Sequence, residues 1–165
     1  MLLVACGGSS KWTWDEAKKD GVLNYVLLIG LIDHNDSAAR TAGIRDALGT
    51  RGTKTQNANK EGPVEGKLTI GGTEFKTIEL EHAEQKAQGG ATWDQATATS
   101  TAEAWINKHG KKIDFFVSNN DGMAEGAIVA SNWRKGAPIF GYDPNIQFIF
   151  KGIIIMAAVC LDSLK

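Results

Sequence analysis

The chain has 165 residues and a formal net charge of -1, from 18 Lys and Arg against 19 Asp and Glu. This length suits one domain with a substantial core, and the near-neutral charge argues against nucleic acid or an anionic membrane surface as a partner. Apolar residues make up 42% of the sequence and Pro occurs only 3 times, so the composition excludes an intrinsically disordered chain.

The first feature in chain order is the sequence LVAC, which ends at Cys6. It has the small-residue pattern found before the lipid-carrying cysteine of bacterial lipoproteins, and a flexible Gly- and Ser-rich stretch follows it. We interpret residues 1–13 as a leader remnant and tether, with Cys6 as the lipidation site; a chance match is the alternative. The other cysteine, Cys160, lies at the far end, so the pair indicates neither a zinc site nor a disulfide framework.

The next segments predict a buried strand and a helix. The continuous apolar run 25–30 is typical of a strand buried on both faces of a parallel sheet. Over residues 36–48 apolar side chains recur at helical spacing, and Gly49 follows, which predicts a helix that ends there. The candidate N-caps of this helix are Asp33, Asn35, Asp36 and Ser37.

Residues 67–78 predict a β-hairpin. Two runs with strand character, 67–70 and 73–78, are separated by Gly71 and Gly72, and a Gly-Gly connection of two residues favours a tight hairpin turn. The hairpin interrupts the alternation of strands and helices. We therefore interpret it as an insertion around residues 64–80.

The second half of the chain continues the alternation. A helix is predicted between Gly90 and Gly110, then a strand over 113–118, a helix after residue 120 and a strand over 138–142, while the end beyond residue 147 gives no clear pattern. The expected apolar faces of the two helices are Ala98, Ala102, Trp105 and Ile106 in the first, and Met123, Ala124, Ala127 and Ile128 in the second. This alternation is typical of an α/β fold with a mostly parallel sheet and helices on both faces.

Polar side chains follow three of the predicted strands, where such sheets bind their ligands. They are Asp33, His34 and Asp36 after the first, Asn119, Asn120 and Asp121 after the second, and Asp143 and Asn145 after the third. Arg40 and Trp93 are expected nearby. Carboxylates, amides, a guanidinium and an indole suit a neutral polyhydroxylated ligand, because they bond to hydroxyls and cover the C–H face of a sugar ring. Helix capping by Asp36 and Asp121 is the alternative.

The sequence lacks the common catalytic motifs. It contains no G-x-S-x-G, no Walker sequence, no G-x-G-x-x-G after a strand and no H-E-x-x-H. His34 and Asp36 could be imagined as a general base and its partner, but the spacing supplies no nucleophile. We therefore expect a protein that is not an enzyme and needs no cofactor.

Five segments, in order, carry a resemblance to a known family: 25–30, 34–41, 92–94, 116–127 and 138–143. Together they resemble the carboxyl-terminal lobe of the galactose/glucose-binding proteins of bacterial ABC transport, over roughly residues 14–143. The resemblance implies a receptor that binds D-glucose or D-galactose and delivers it to the permease of an ABC transporter. The ligand-binding residues that it implies are His34, Asp36, Arg40, Trp93, Asn120 and Asp143.

The sequence departs from this family in two ways. Nothing in it resembles the other lobe, which comes first in the family's usual order, so the resemblance implies a circularly permuted and truncated member in which residues 14–165 form a single sugar-binding lobe. The family's calcium loop corresponds to residues 16–21, but Ala17 and two lysines stand where oxygen ligands are needed. No bound metal is expected.

The resemblance also implies a location and leaves alternatives open. A transport receptor of this kind is periplasmic, and here it would reach the membrane only through a lipid on Cys6. The longest apolar runs, 25–32 and 153–161, are shorter than the ~20 residues of a membrane-spanning helix. One alternative is the sensor domain of a sugar-responsive repressor, against which the lack of a basic helix-turn-helix segment counts. The weaker alternative is a small carbohydrate-active enzyme.

Overall fold

The computed structural model describes residues 3–5 and 19–135 and contains an open sheet flanked by helices. Its strands are β1 (Leu3–Ala5), β2 (Val22–Ile29), β3 (Gly66–Ile70), β4 (Thr73–Glu84) and β5 (Phe115–Ser118). Its α-helices are α1 (Asn35–Leu48), α2 (Gln95–His109) and α3 (Asp121–Lys135), with short 3-10 turns at Ala58–Lys60 and Gly110–Lys112. The chain divides into two compact units, residues 1–131 and 132–165, and the contacts described below lie in the first.

Several predictions fall outside the described residues. They concern Cys6 and its lipidation, Cys160, the strand over 138–142 and Asp143. Leu3–Ala5, which precede Cys6, pair with β5 as an edge strand. The boundary of a tether at residue 13 stays a prediction.

The sheet has the strand order β1-β5-β2-β4-β3. The three central strands are parallel, because β2 pairs in parallel with both β4 and β5, whereas β1 and β3 are antiparallel edges. The parallel centre with helices confirms the predicted α/β class. It also brings the carboxyl ends of β2, β4 and β5 to one edge of the sheet.

The core consists of two apolar clusters, one on each face of the sheet. β2 contributes to both because its side chains alternate: Val26 and Leu28 enter one cluster, and Tyr25 and Leu27 enter the other. The first cluster contains residues of α2 and α3, and the second contains Ile44 and Leu48 of α1. Helices therefore cover both faces, as predicted from the buried run in β2.

The two ends of α1 are capped in different ways. Its N-cap is His34, whose Nδ1 accepts a hydrogen bond from the main-chain N–H of Asp36 at 3.2 Å. The four predicted caps were therefore wrong, because the extended backbone at His34 places the imidazole where a shorter side chain was expected. At the other end Gly49 has φ 70°, and this left-handed conformation ends the helix as predicted.

The predicted hairpin is present, and its second strand extends into the centre of the sheet. Its interpretation as an insertion around residues 64–80 stays a prediction. Gly71 and Gly72 have φ values of 56° and 81°, and β3 and β4 pair as antiparallel strands on either side of them. β4 continues to Glu84, six residues beyond the predicted end, and this continuation pairs with β2. The second strand of the hairpin is thus a central strand of the sheet.

α2 and α3 confirm the predicted apolar faces. All four expected residues of α2 are buried, and three of those in α3 are buried with Ile128 half-buried. Asp94 caps α2 by accepting from Thr97 N at 2.7 Å, and its hydrogen bonds from Thr97 lower the pKa of this carboxyl. Asn120 Oδ1 accepts from Met123 N at 2.9 Å at the start of α3, so Asn120 caps this helix.

Candidate functional site

Three segments with predicted site residues meet at the carboxyl edge of the parallel strands. His34 follows β2, the loop with Trp93 follows β4, and Asn120 follows β5. Arg40 reaches the same edge from α1. This arrangement follows from the sheet order, in which β2 lies between β4 and β5.

Trp93 is the centre of one group of contacts at this edge. The His34 ring stands at 88° to the indole with 5.9 Å between ring centroids, in an edge-to-face arrangement. The guanidinium carbon of Arg40 lies over the indole at 5.6 Å from the ring centroid, within reach of a cation–π interaction. The structure therefore brings together three of the predicted residues: His34 from the loop after β2, Arg40 from α1 and Trp93 from the loop after β4.

The backbone of Trp93 is strained. Its φ is 60°, the only positive value at a non-glycine residue in the part of the chain that is described. Hydrogen bonds hold the loop in this shape, because Asp94 N donates to Gln85 O at 3.2 Å and Lys86 pairs with Thr92 in an antiparallel bridge. Such conformations persist only where the surroundings enforce them, and they concentrate at functional sites.

Gly30 leaves space for the indole. A Cβ atom at this position would lie 2.4 Å from Trp93 Cζ3 and 2.5 Å from two further ring atoms. The ring is half-buried and packs against the core cluster that includes Val26 and Leu28. The end of β2 therefore forms the surface on which Trp93 rests.

Arg40 is exposed and is held by a neutral acceptor. Its Nη1 donates to the main-chain oxygen of Asn119 at 2.6 Å. Within residues 19–135 no carboxylate forms an ion pair with it. No carboxylate in this part of the chain therefore compensates the charge of the guanidinium, and it has N–H groups available for another partner.

A cavity of about 460 Å³ lies on the α1 side of the carboxyl edge. It is lined by Arg40, Gly43, Ile44, Ser118, Asn119, Asn120 and Asp121. Arg40 and Asn120 share this cavity, whereas His34, Asp36 and Trp93 do not line it. Arg40 is therefore the residue that connects the cavity with the contacts around Trp93.

The remaining predicted residues have weaker links to this group. Asp36 is exposed in the first turn of α1, and its main-chain N–H is the donor to His34. Asp143 lies outside the described residues. Sequence reasoning missed Gly30, because only the fold reveals the ring beside it. Asn119 was named among the polar residues that follow the predicted strands but not among the ligand-binding residues, since nothing local distinguishes it from its neighbour Asn120.

A buried ion pair fixes α1 to the sheet beneath the site. Arg45 of α1 forms two hydrogen bonds with Glu79 of β4, at 2.5 and 2.8 Å, and both side chains are fully buried. Glu79 also accepts from Tyr25 Oη at 2.6 Å and lies 3.0 Å from His82 Nδ1. Arg45 Nη1 donates to Ala58 O at 2.7 Å.

This cluster has opposite effects on two pKa values. Burial alone would raise the pKa of Glu79, but the hydrogen bonds from Arg45, His82 and Tyr25 and the charge of Arg45 lower it overall. Burial, and then the charge and hydrogen bond of Glu79, raise the pKa of Tyr25 far above its usual range. Glu79 is therefore the charged partner of Arg45, and Tyr25 is a neutral donor.

The described residues contain no group of three or more His, Cys, Asp or Glu that could hold a metal ion. In the same part of the chain no helix has the length and apolar character needed to cross a membrane. The polar groups at the carboxyl edge are amides, an imidazole and a guanidinium, together with the carboxylates of Asp36 and Asp121. Such a set suits hydroxyl groups better than a cation.

Among the known proteins similar to this chain are two that are named for galactose binding and import. The D-galactose/methyl-galactoside binding periplasmic protein MglB of Haemophilus influenzae is 30% identical over 142 residues, which cover 83% of this chain and 34% of that protein. The galactose/methyl galactoside import permease protein MglC of Treponema pallidum is 44% identical over 45 residues, 27% of this chain and 8% of the permease. The chain thus spans about a third of the length of the MglB relative.

The family assignment rests on a broader match. Residues 5–153 match the profile of the periplasmic binding protein domain. This range includes the whole parallel sheet and the loops at its carboxyl edge. Because the match covers far more than half of the sequence, the chain belongs to the periplasmic binding protein family.

Proposed function

We propose that this chain binds a hexose, D-glucose or D-galactose, as the solute receptor of an ABC sugar transporter. The observation that carries the proposal is the meeting of Trp93, Arg40 and His34 at the carboxyl edge of the sheet. The similarity to a periplasmic protein named for galactose binding supports the choice of ligand.

The chemistry of these side chains suits a sugar. An indole covers the apolar C–H face of a pyranose ring, while a guanidinium donates to two neighbouring hydroxyl oxygens. Asn120 adds amide groups on the cavity side of Arg40. We propose His34, Asp36, Arg40, Trp93, Asn120 and Asp143 as the ligand-binding residues.

We propose that the sugar is released unchanged. His34 is engaged as the N-cap of α1 through Nδ1, and no Ser or Cys forms a hydrogen bond with its ring among the described residues. A histidine that has neither a nucleophile nor a second acid next to it is poorly placed to hydrolyse a glycosidic bond. This interpretation makes the chain a binding protein and not an enzyme.

The proposed partner is the permease of a sugar transporter in a bacterial membrane. Similarity to MglB supports a periplasmic location, and the similarity of 45 residues to the permease MglC links the chain to the same transport system. A lipid on Cys6 would attach the protein to the membrane.

The test is a titration of the 15N-labelled protein with D-galactose and D-glucose, followed by NMR. We expect saturable shifts of the Trp93 indole N–H and of residues 118–121 in the parent, and markedly weaker binding in Trp93→Ala and Arg40→Ala, followed through the signals of residues 118–121. Lys54→Ala, an exposed cation in another loop, is the control and should bind as the parent does. Shifts that do not saturate with either sugar, or that are the same in all variants, would overturn the proposal.

Enzyme activity has a separate test. Aryl glycosides of both sugars are incubated with the protein, and release of the aryl group is followed by absorbance. We expect none; release that disappears in His34→Ala would favour the enzymatic alternative.

A further inference from the structure

Asn119 lies between the two parts of the candidate site. It follows β5, is 5% exposed and lines the cavity next to Asn120. Its main-chain N–H donates to Leu28 O at 3.1 Å, which extends the pairing of β5 with β2 by one residue. The residue is fixed to the sheet through its main chain, so its side chain can bond to another element.

The side-chain amide of Asn119 bonds to α1. Its Nδ2 lies 3.0 Å from Ser37 Oγ, 3.3 Å from Ser37 O and 3.1 Å from Thr41 Oγ1. Because a main-chain oxygen can only accept, the atom that faces α1 is the nitrogen. Ser37 and Thr41 are one turn apart and fully buried, so Asn119 binds one continuous face of the helix.

The same hydrogen-bond network reaches the loop that carries His34. Thr41 Oγ1 donates to Asn59 Oδ1 at 2.6 Å, and Asn59 Nδ2 donates to Ile32 O at 2.9 Å and to Ser37 Oγ at 3.1 Å. Ile32 lies two residues before His34. The loops after β2 and β5 are therefore joined through buried side chains on α1.

The side-chain oxygen of Asn119 has no hydrogen-bond partner among the described residues, although it is buried. A buried acceptor without a partner destabilises a fold. Ser37 and Thr41 would keep Asn59 as a partner if Asn119 were replaced. The amide of Asn119 therefore stabilises the fold through its nitrogen alone.

The position of the Arg40 side chain also depends on Asn119. The main-chain oxygen of Asn119 is the acceptor for Arg40 Nη1, at 2.6 Å. Other arginines of the described chain, Arg45 and Arg51, bond to carboxylates. A carbonyl orients the Arg40 guanidinium without neutralising its charge, so the position of this loop sets the direction of the cation.

We infer that Asn119 is a positioning residue for Arg40. Its amide fixes the loop after β5 against α1, and its main-chain oxygen then holds the guanidinium over Trp93. The effect on sugar affinity rests on the proposed function, whereas the effect on Arg40 concerns the protein without ligand.

The first measurement uses the ligand-free protein. The Arg40 Nε–H and Trp93 Nε1–H signals are compared by NMR in the parent, in Asn119→Ala, which removes all three contacts of the amide with α1, and in Thr41→Val, which removes one of them. We expect both signals to shift or broaden in both variants. Thr41→Ser, which keeps the hydroxyl, should restore the parent spectrum.

Thr77→Val is the matched control for general destabilisation. Thr77 is buried, and its hydroxyl donates to Leu48 O at 2.5 Å at the far end of α1. We expect the Arg40 and Trp93 signals of Thr77→Val to stay at the parent's positions, even if the melting temperature of this variant falls as far as that of Asn119→Ala. Unchanged signals in Asn119→Ala and Thr41→Val, or equal shifts in Thr77→Val, would overturn the inference.

The second measurement is a galactose titration of the same variants. We expect Asn119→Ala to bind about tenfold more weakly than the parent, and the double variant with Arg40→Ala to bind no worse than Arg40→Ala alone. Fully additive losses would contradict a role through Arg40. If the parent protein does not bind galactose, the proposed function fails, and the ligand-free signals still decide the positioning role.

Discussion

At the scale of single residues, Gly30 determines where the Trp93 ring can lie. An added Cβ would meet three ring atoms at 2.4 to 2.5 Å, closer than side chains approach in real structures. The backbone of Gly30 is outside the left-handed region, so alanine is excluded by the ring and not by φ. We expect Gly30→Ala to displace the indole and to weaken galactose binding by about tenfold, with overpacking costing ~1–3 kcal/mol of stability.

The measurement for Gly30→Ala is the NMR signal of the Trp93 indole together with a galactose titration. Gly122→Ala is the control, because nothing lies within 4 Å of a Cβ at that position. A Gly30→Ala protein with the parent's indole signal and affinity would show that the ring does not depend on this contact.

Two other residues show what local sequence cannot reveal. His34 was predicted as a ligand-binding residue and not as a helix cap, since Asp, Asn and Ser are the usual caps and several lie nearby. Asn119 was passed over for Asn120, although its amide reaches three atoms of α1. The role of Asn119 depends on the distance between segments, which a local pattern does not contain, whereas the capping role of His34 depends on the extended backbone at that residue.

At the scale of secondary structure, the Arg45–Glu79 pair joins α1 to β4. Removing one charge leaves the other buried without a partner, which typically costs about 3–5 kcal/mol. We expect Glu79→Gln to lower the unfolding free energy at pH 7 by an amount of this order, measured by urea denaturation. Glu65→Gln, at an exposed pair with Lys76, is the control and should change stability little.

The same variant should alter the pH dependence of stability. The pKa of Glu79 is lowered in the folded protein, so its contribution is present above the ordinary pKa of glutamate, about 4.3, and is lost as the pH falls through the lower folded value. Between pH 5 and strongly acidic conditions the parent should lose more stability than Glu79→Gln. Equal losses in both proteins would contradict a charged Glu79.

A second variant covers the case in which Glu79→Gln does not fold. Tyr25→Phe removes a single hydrogen bond to Glu79, and its loss of stability in acid should also be smaller than the parent's, by less than in Glu79→Gln.

The boundary of β4 shows where pattern reasoning stops. The apolar strand β2, the faces of α2 and α3, and the Gly-Gly turn were predictable because burial and turn conformation leave local signals. The end of β4 was missed because Glu79, Glu81 and Glu84 are charged, whereas a central parallel strand is usually apolar. Their partners are on other elements: Arg45 of α1 pairs with Glu79, Lys108 and His109 of α2 bond to Glu81, and Ile32 N donates to Glu84.

At the scale of the whole molecule, the proposed contacts within the described residues all come from one sheet. A sugar resting on Trp93 and Arg40 would contact residues 19–135 with one face only. Periplasmic binding proteins close two lobes around their ligand, which dries the site and strengthens each hydrogen bond. The chain covers 34% of the length of the MglB relative. Its affinity for a hexose therefore measures how tightly the contacts of one sheet can bind the sugar.

We predict that the 165-residue chain by itself binds glucose or galactose no more tightly than about millimolar. Each hydroxyl that stays in water forfeits ~0.5–1.5 kcal/mol of net hydrogen-bond stabilisation, and several such losses lower the affinity by orders of magnitude. Calorimetric titration with both sugars measures the affinity. Sedimentation at the same protein concentration determines whether the protein is a monomer. A submicromolar dissociation constant for the monomer would mean that a single sheet edge suffices, and that contacts outside those proposed here supply most of the binding energy.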